Sequence, residues 1–137
     1  MPDESLLDRP PRCVFVYGTL RQGGSNDITR LRPAAQFVGT ARVAGVLYHL
    51  GRYPGMTLGG DQWVHGEVYA IEPALEAVLD DIEDLGATPT DEYVKRELAV
   101  DVNGHAMPCL VYEITPRYVV GKEQIAHGDW LGISLKT

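Results

Sequence analysis

The stretch Val14-Phe15-Val16-Tyr17-Gly18-Thr19-Leu20-Arg21-Gln22-Gly23-Gly24 changes character within a few residues. Residues 13–17 form a short unbroken apolar run with β-branched and aromatic members, the pattern of a strand covered on both faces. The run stops at Gly18, which lacks the Cβ that would keep a ligand off the backbone, and Thr19 adds a hydroxyl. Residues 17–21 can therefore present several amide N–H groups to a carboxylate or a developing oxyanion. Four residues, Y-G-T-L, read equally well as an ordinary turn at a strand end, so the choice depends on what the rest of the chain supplies.

With 137 residues the chain has the length of one domain able to build its own core. Hydrophobic residues at 45% and charged residues at 23% match a globular protein, and nothing approaches the run of about 18 apolar residues that a membrane span needs. Residues 1–11 are acidic and proline-bearing, lack the pattern of a secretion signal, and read as a flexible arm ahead of a domain over 12–137. Twelve basic against nineteen acidic residues leave a net charge of −7 with no basic cluster. That excludes nucleic acid and anionic membranes as expected partners and leaves small molecules. Cys13 and Cys109 lie inside apolar runs and read as reduced thiols of a cytoplasmic protein, and the four histidines show no metal-ligand spacing. No metal is expected, and a monomer is favoured.

Beyond the opening loop, Ser25 or Asn26 can cap a short helix through Leu31. Residues 37–44 and 46–50 read as two strands broken at Gly45, followed by turns at 51–55 and at Gly59-Gly60-Asp61. Residues 63–71 alternate: Val64, Gly66, Val68 and Ala70 share one face, and Trp63, His65, Glu67, Tyr69 and Ile71 the other. The small residues suggest a strongly curved sheet, while Glu67 and His65 read as a solvated face or a cross-strand pair. Pro73 opens a helix over residues 74–85, with Leu75, Val78, Leu79 and Ile82 as its buried stripe. At about 100° per residue, Glu76 and Glu83 border that stripe, and Asp80, Asp81 and Asp84 face water. Glu83 is preferred to Glu76 because it sits at the helix end, beside a loop that a ligand can reach. Residues 92–102 and 105–114 flank Asn103-Gly104 as a hairpin, with Pro108 marking an edge or bulge. A helical turn near 123–127 precedes Gly128-Asp129-Trp130-Leu131.

In order, V-F-V-Y-G-T-L-R, L-Y-H-L-G-R-Y-P-G, V-H-G-E-V-Y-A-I, L-D-D-I-E, E-Y-V-K-R and G-D-W-L resemble the gamma-glutamylcyclotransferase-like family. That family includes gamma-glutamylamine cyclotransferases and plant avirulence-induced relatives. The resemblance spans roughly residues 13 to 132. It implies an α+β fold, a small, distorted mixed β-barrel flanked by short helices, with Tyr17, Gly18, Thr19 and Leu20 forming half of a cavity. It also implies Glu83 as the catalytic carboxylate, and Tyr53 and Tyr93 join Tyr17 as candidate cavity walls. Lys95 departs from the pattern, standing where many relatives carry arginine.

The implied reaction is intramolecular acyl transfer without a cofactor. The α-amine of a γ-glutamyl compound closes on its own γ-carbonyl, giving 5-oxoproline and freeing the attached amine or amino acid. A single carboxylate can take the proton from one nitrogen and give it to the other. A barrel that binds a small carboxylate or amino-acid ligand without turning it over is the alternative. An interaction module has little support, since the chain shows no long amphipathic helix and no repeat.

Overall fold

The apolar run that opens the chain becomes β1 (Arg12–Val16), a central strand of a mixed six-stranded sheet. The computed structural model describes residues 12–51, 53–82 and 92–130. The arm at 1–11, Arg52, Glu83 with the rest of 83–91, and 131–137 lie outside the described residues. The other strands are β2 (Gln36–His49), β3 (Pro54–Ile71), β4 (Tyr93–Val102), β5 (His105–Ile114) and β6 (Glu123–Gln124), with one α-helix, α1 (Pro73–Ile82). The sheet order is β4-β5-β1-β3-β2-β6; β1 and β5 run parallel, and every other pairing is antiparallel.

The sheet curls into a half-barrel. Gly39 on β2 lies so close to β4 that a Cβ there would stand 2.7 Å from Val102 Cγ1, although three strands separate β2 from β4 in the sheet order. Curling buries both faces of β1, and alternation sorts its side chains between two cores. Phe15 and Tyr17 point inside the curl with Val64, Val68, Val100, Val102 and Val111. Val14 and Val16 point outward with Tyr69, Ile71, Leu110, Tyr112 and Ile114, and are covered by Leu75 and Leu79 of α1. Val78 and Ile82 complete the helix stripe, half-buried.

Several expectations change. The two strands at 37–44 and 46–50 are one strand, β2, whose register with β3 shifts between Ala44 and Gly45 instead of breaking. Gly59 and Gly60 form no hairpin turn: Ala44 faces Trp63 while Gly45 faces Leu58, so residues 59–62 bulge out of β3 on left-handed glycines at φ 91° and 97°. The helix expected from Ser25 or Asn26 is a single 3-10 turn, Ile28–Arg30, capped by Asp27, and in place of the helical turn expected near 123–127 the chain forms the short strand β6 followed by a non-helical turn, because residues 123–124 pair with β2. The Asn103-Gly104 hairpin forms as read, both residues having positive φ (53° and 84°). Cys13 and Cys109 face one another across the parallel pair as free thiols, and burial pushes Cys109 up to about 12.

Gly66 packs beneath β1, where an added Cβ would overlap the Val16 carbonyl oxygen and come within 2.9 Å of the Phe15 ring. Gly66→Ala should therefore destabilise the protein by at least about 1–3 kcal/mol in urea unfolding, since neither obstacle is the end of a flexible side chain. A midpoint unchanged from the parent would contradict the close approach of β1 and β3.

Candidate functional site

Where β1 ends, its last residues and the loop after it line a cavity of about 290 Å³. Tyr17, Gly18, Thr19, Leu20, Tyr53 and Tyr93, singled out in the sequence, all lie on its wall. Phe15, Val16, Ser25, Asn26 and Pro54 line it as well, as do Ile82, Glu92 and Tyr112. Ile82 is the last described residue of α1, and the chain runs from it directly into Glu83, which lies outside the described residues.

The loop is held by its own backbone. Arg21 N–H donates to Gly18 O at 3.1 Å, Gly24 N–H to Arg21 O at 2.8 Å, Asn26 N–H to Thr19 O at 2.8 Å and Ile28 N–H to Leu20 O at 2.9 Å. Leu20 is anchored in the outer core. Gln22 and Gly23 give their amides to the carboxylates of Glu67 and Asp27. The amides of Gly18, Thr19 and Leu20 meet no protein acceptor among the described residues. Three donors of the five-residue span read from the sequence thus remain available, while that of Arg21 is spent inside the loop. Gly18 has a packing reason of its own: a Cβ would stand 2.7 Å from Pro54 Cγ, so glycine lets the loop lie against the β2–β3 turn.

The tyrosines fix the wall by hydrogen bonding. Tyr17 donates from its hydroxyl to Tyr112 O at 2.6 Å and accepts from Met56 N–H at 3.2 Å; Tyr93 donates to Pro54 O at 2.7 Å. Both are buried, and their hydroxyls bond to backbone groups inside the protein. Tyr53 stays partly exposed and donates to Glu92 Oε2 at 2.6 Å. Ser25, Asn26, Glu92 and Tyr112 are not legible as wall residues, because each arrives from a loop or strand whose own pattern records only burial or turn chemistry.

Beneath the loop lies a buried ion pair that sequence alternation did not reveal. Arg21 Nε donates to Glu67 Oε2 at 2.5 Å, and Arg21 Nη1 to Asp129 Oδ1 at 2.6 Å. Glu67, expected on a solvated face or in a cross-strand pair, is buried because Arg21 crosses over the sheet to meet it. Burial, then the charge of Glu67, push the neighbouring Tyr69 phenol up to about 12. Elsewhere on the same outer face, at α1, Lys95 Nζ donates to Glu76 Oε2 at 2.6 Å and to Asp80 at 3.0 Å, while Tyr112 donates to Asp80 Oδ1 at 2.7 Å. Asp80 is thus half-buried and paired, where helix geometry placed it in water. Burial alone would lower the Lys95 ammonium, but the hydrogen bonds and charges of Glu76 and Asp80 outweigh it and raise the pKa. Glu76, the rival of Glu83, is tied to Lys95 and Arg12 and does not line the cavity. Among the described residues no group of three His, Cys, Asp or Glu side chains can hold a metal ion. No helix there is long and apolar enough to cross a membrane.

The model of the family described as gamma-glutamyl cyclotransferase, AIG2-like, matches residues 14–132. The chain belongs to that family. It is 38% identical over 121 residues to the gamma-glutamylcyclotransferase family protein YtfP of Escherichia coli K12, covering 86% of this chain and 95% of that one. The solution structure of YtfP from Escherichia coli superposes with a TM-score of 0.59 at 34% identity, over 89% of this chain and 98% of the other. An AIG2-like protein from Mus musculus superposes with a TM-score of 0.72 at 25% identity, over 89% of both chains. Lys95 binds the sheet to α1 and stays out of the cavity wall.

Glu67→Ala leaves Arg21 with Asp129 alone and the Gln22 amide without its acceptor, so it should cost at least about 1–3 kcal/mol of unfolding free energy. A loss below about 1 kcal/mol would place the pair with ordinary surface ion pairs. Asp27 gives an acid-side signature. Burial would raise its pKa, but hydrogen bonds from Gly23 and Thr29 and the charge of Arg30 prevail and lower it. Its contribution is therefore present above the ordinary aspartate value of about 3.9 and is lost as pH falls through the depressed value. In thermal melts, the parent should exceed Asp27→Asn at neutral pH, and the gap should close in acid; a gap that persists would contradict the assignment.

Proposed function

We propose that this family member is a γ-glutamyl cyclotransferase, converting a γ-glutamylamine or γ-glutamyl amino acid into 5-oxoproline and the free amine, with Glu83 as general base and acid. The observation that carries this reading is the single cavity that holds both the open amides of the loop and the end of the helix leading into Glu83. The sequence match to cyclotransferase relatives supports it from another direction.

The reaction asks little of a cofactor. The α-amino nitrogen, once neutral, attacks the γ-carbonyl carbon and a five-membered ring closes. The bond to the outgoing nitrogen then breaks as that nitrogen takes up a proton. Glu83 takes the proton from the attacking nitrogen and returns it to the departing one, so atoms and charge balance without water or metal. General acid–base catalysis of this kind contributes about 10²–10⁴ in rate. Folding the substrate so that its two ends meet contributes further, because the attack is intramolecular. In this reading Gly18, Thr19 and Leu20 donate their amides to the α-carboxylate or to the tetrahedral oxyanion, a donor of the latter kind being worth about 10²–10³. Tyr17, Tyr53 and Tyr93 shape the wall around the folded chain.

Incubated with a panel of γ-glutamyl compounds, the purified protein should release 5-oxoproline, and Glu83→Gln should lose at least about a hundredfold of the rate. Retention of most of the activity would remove Glu83 from the role. Ligands that stabilise the protein yet return chemically unchanged would make it a binder instead of an enzyme.

A further inference from the structure

Part of the cavity wall is acidic and aromatic. Glu92 and Tyr53 both line it, joined by the 2.6 Å hydrogen bond, and the Tyr53 and Tyr93 rings stand 6.4 Å apart, tilted by 50°. Among the described wall residues, Glu92 alone carries a formal charge at neutral pH.

Its carboxylate also differs from the other acids that are withdrawn from water. Glu67 and Asp129 are held by Arg21, Glu76 and Asp80 by Lys95, and Glu113 by Arg96. Asp27 is held by two amides and a hydroxyl. Among the described buried and half-buried carboxylates, only that of Glu92 meets neither a cation nor an amide donor of another described residue. A half-buried carboxylate beside two aromatic rings is a ligand set for a cation: charge attraction grows as water is displaced, and ring faces add to it.

We infer that Glu92 and Tyr53 select the leaving group, and that the substrate is a γ-glutamyl amide of a diamine, or of another amine bearing a second, positively charged nitrogen. The inference rests on the cyclisation reading above. The loop amides of Gly18, Thr19 and Leu20 are unspent among the described residues, so in this reading they take the substrate's α-carboxylate, and the leaving group is left to meet Glu92 and Tyr53. A leaving amino acid would bring its own carboxylate toward Glu92 and be repelled; a charged amine would be drawn in.

Three probes of matched length test this: the γ-glutamyl amides of putrescine, n-butylamine and γ-aminobutyrate, which end in a cation, a methyl group and a carboxylate. Binding by calorimetry and 5-oxoproline release are read for the parent and for Glu92→Gln, which keeps an acceptor for Tyr53. An exposed charge pair together with a ring contact amounts to about tenfold, so the putrescine amide should bind tighter and show a higher kcat/KM than the butylamine amide by about that factor. The γ-aminobutyrate amide should be the poorest of the three. In Glu92→Gln the ordering should flatten, and because the ratio is taken within one preparation it is independent of how much of the variant folds. Equal handling of the cationic and neutral probes, or a preference that survives Glu92→Gln, overturns the inference. Product without preference overturns it alone; cation-selective binding with every probe returned unchanged overturns the cyclisation reading alone; no binding by any probe overturns both.

Discussion

The guanidinium of Arg21 joins three distant parts of the chain. It leaves the loop after β1, meets Glu67 from β3, 46 residues away, and meets Asp129 from the C-terminal segment, 108 residues away. A buried cation is costly unless its partners and geometry are good, and here two carboxylates receive it. Glu67 then reaches back with its other oxygen to the Gln22 amide, so that one carboxylate holds both the side chain and the backbone of the same loop. A loop fixed in this way loses little freedom when a ligand arrives, which is how open amides become an effective binding surface.

The cavity follows from the way β1 is buried. Inside the sheet, β1 feeds alternate side chains to two cores, and past Val16 the chain leaves its neighbours. Tyr17 continues the inner face, and its hydroxyl spans to backbone atoms of β5 and β3. Tyr93 does the same from the edge strand β4 to Pro54. Tyrosine suits these positions because its ring fills a core while its hydroxyl satisfies backbone groups that the curling sheet leaves without partners.

Local patterns carried much of the fold. The apolar run at 13–17, the stripe Leu75-Val78-Leu79-Ile82 and the Asn103-Gly104 turn each have a strong short-range cause, and each appears as read. The resemblance to the family added the curled sheet and the gathering of Tyr17, Tyr53 and Tyr93 around one cavity. What escaped depends on partners far along the chain. Gly59-Gly60 has turn chemistry, but pairing with β2 on both sides makes it a bulge. Asp80 lies on the polar side of a helix drawn alone, yet β4 and β5 supply Lys95 and Tyr112 to that side. Glu67 alternates with apolar residues like any outward-facing strand residue, and nothing in its neighbourhood announces an arginine from a loop 46 residues earlier.

The central claim is that the loop amides and the carboxylate after α1 address the same small molecule. A crystal structure with 5-oxoproline bound tests it most directly. The account predicts the product carboxylate or ring carbonyl about 2.7–3.2 Å from the amides of Gly18 to Leu20, with Glu83 within hydrogen-bond reach of the ring nitrogen. Product bound away from those amides, or held there with Glu83 directed elsewhere, would contradict it.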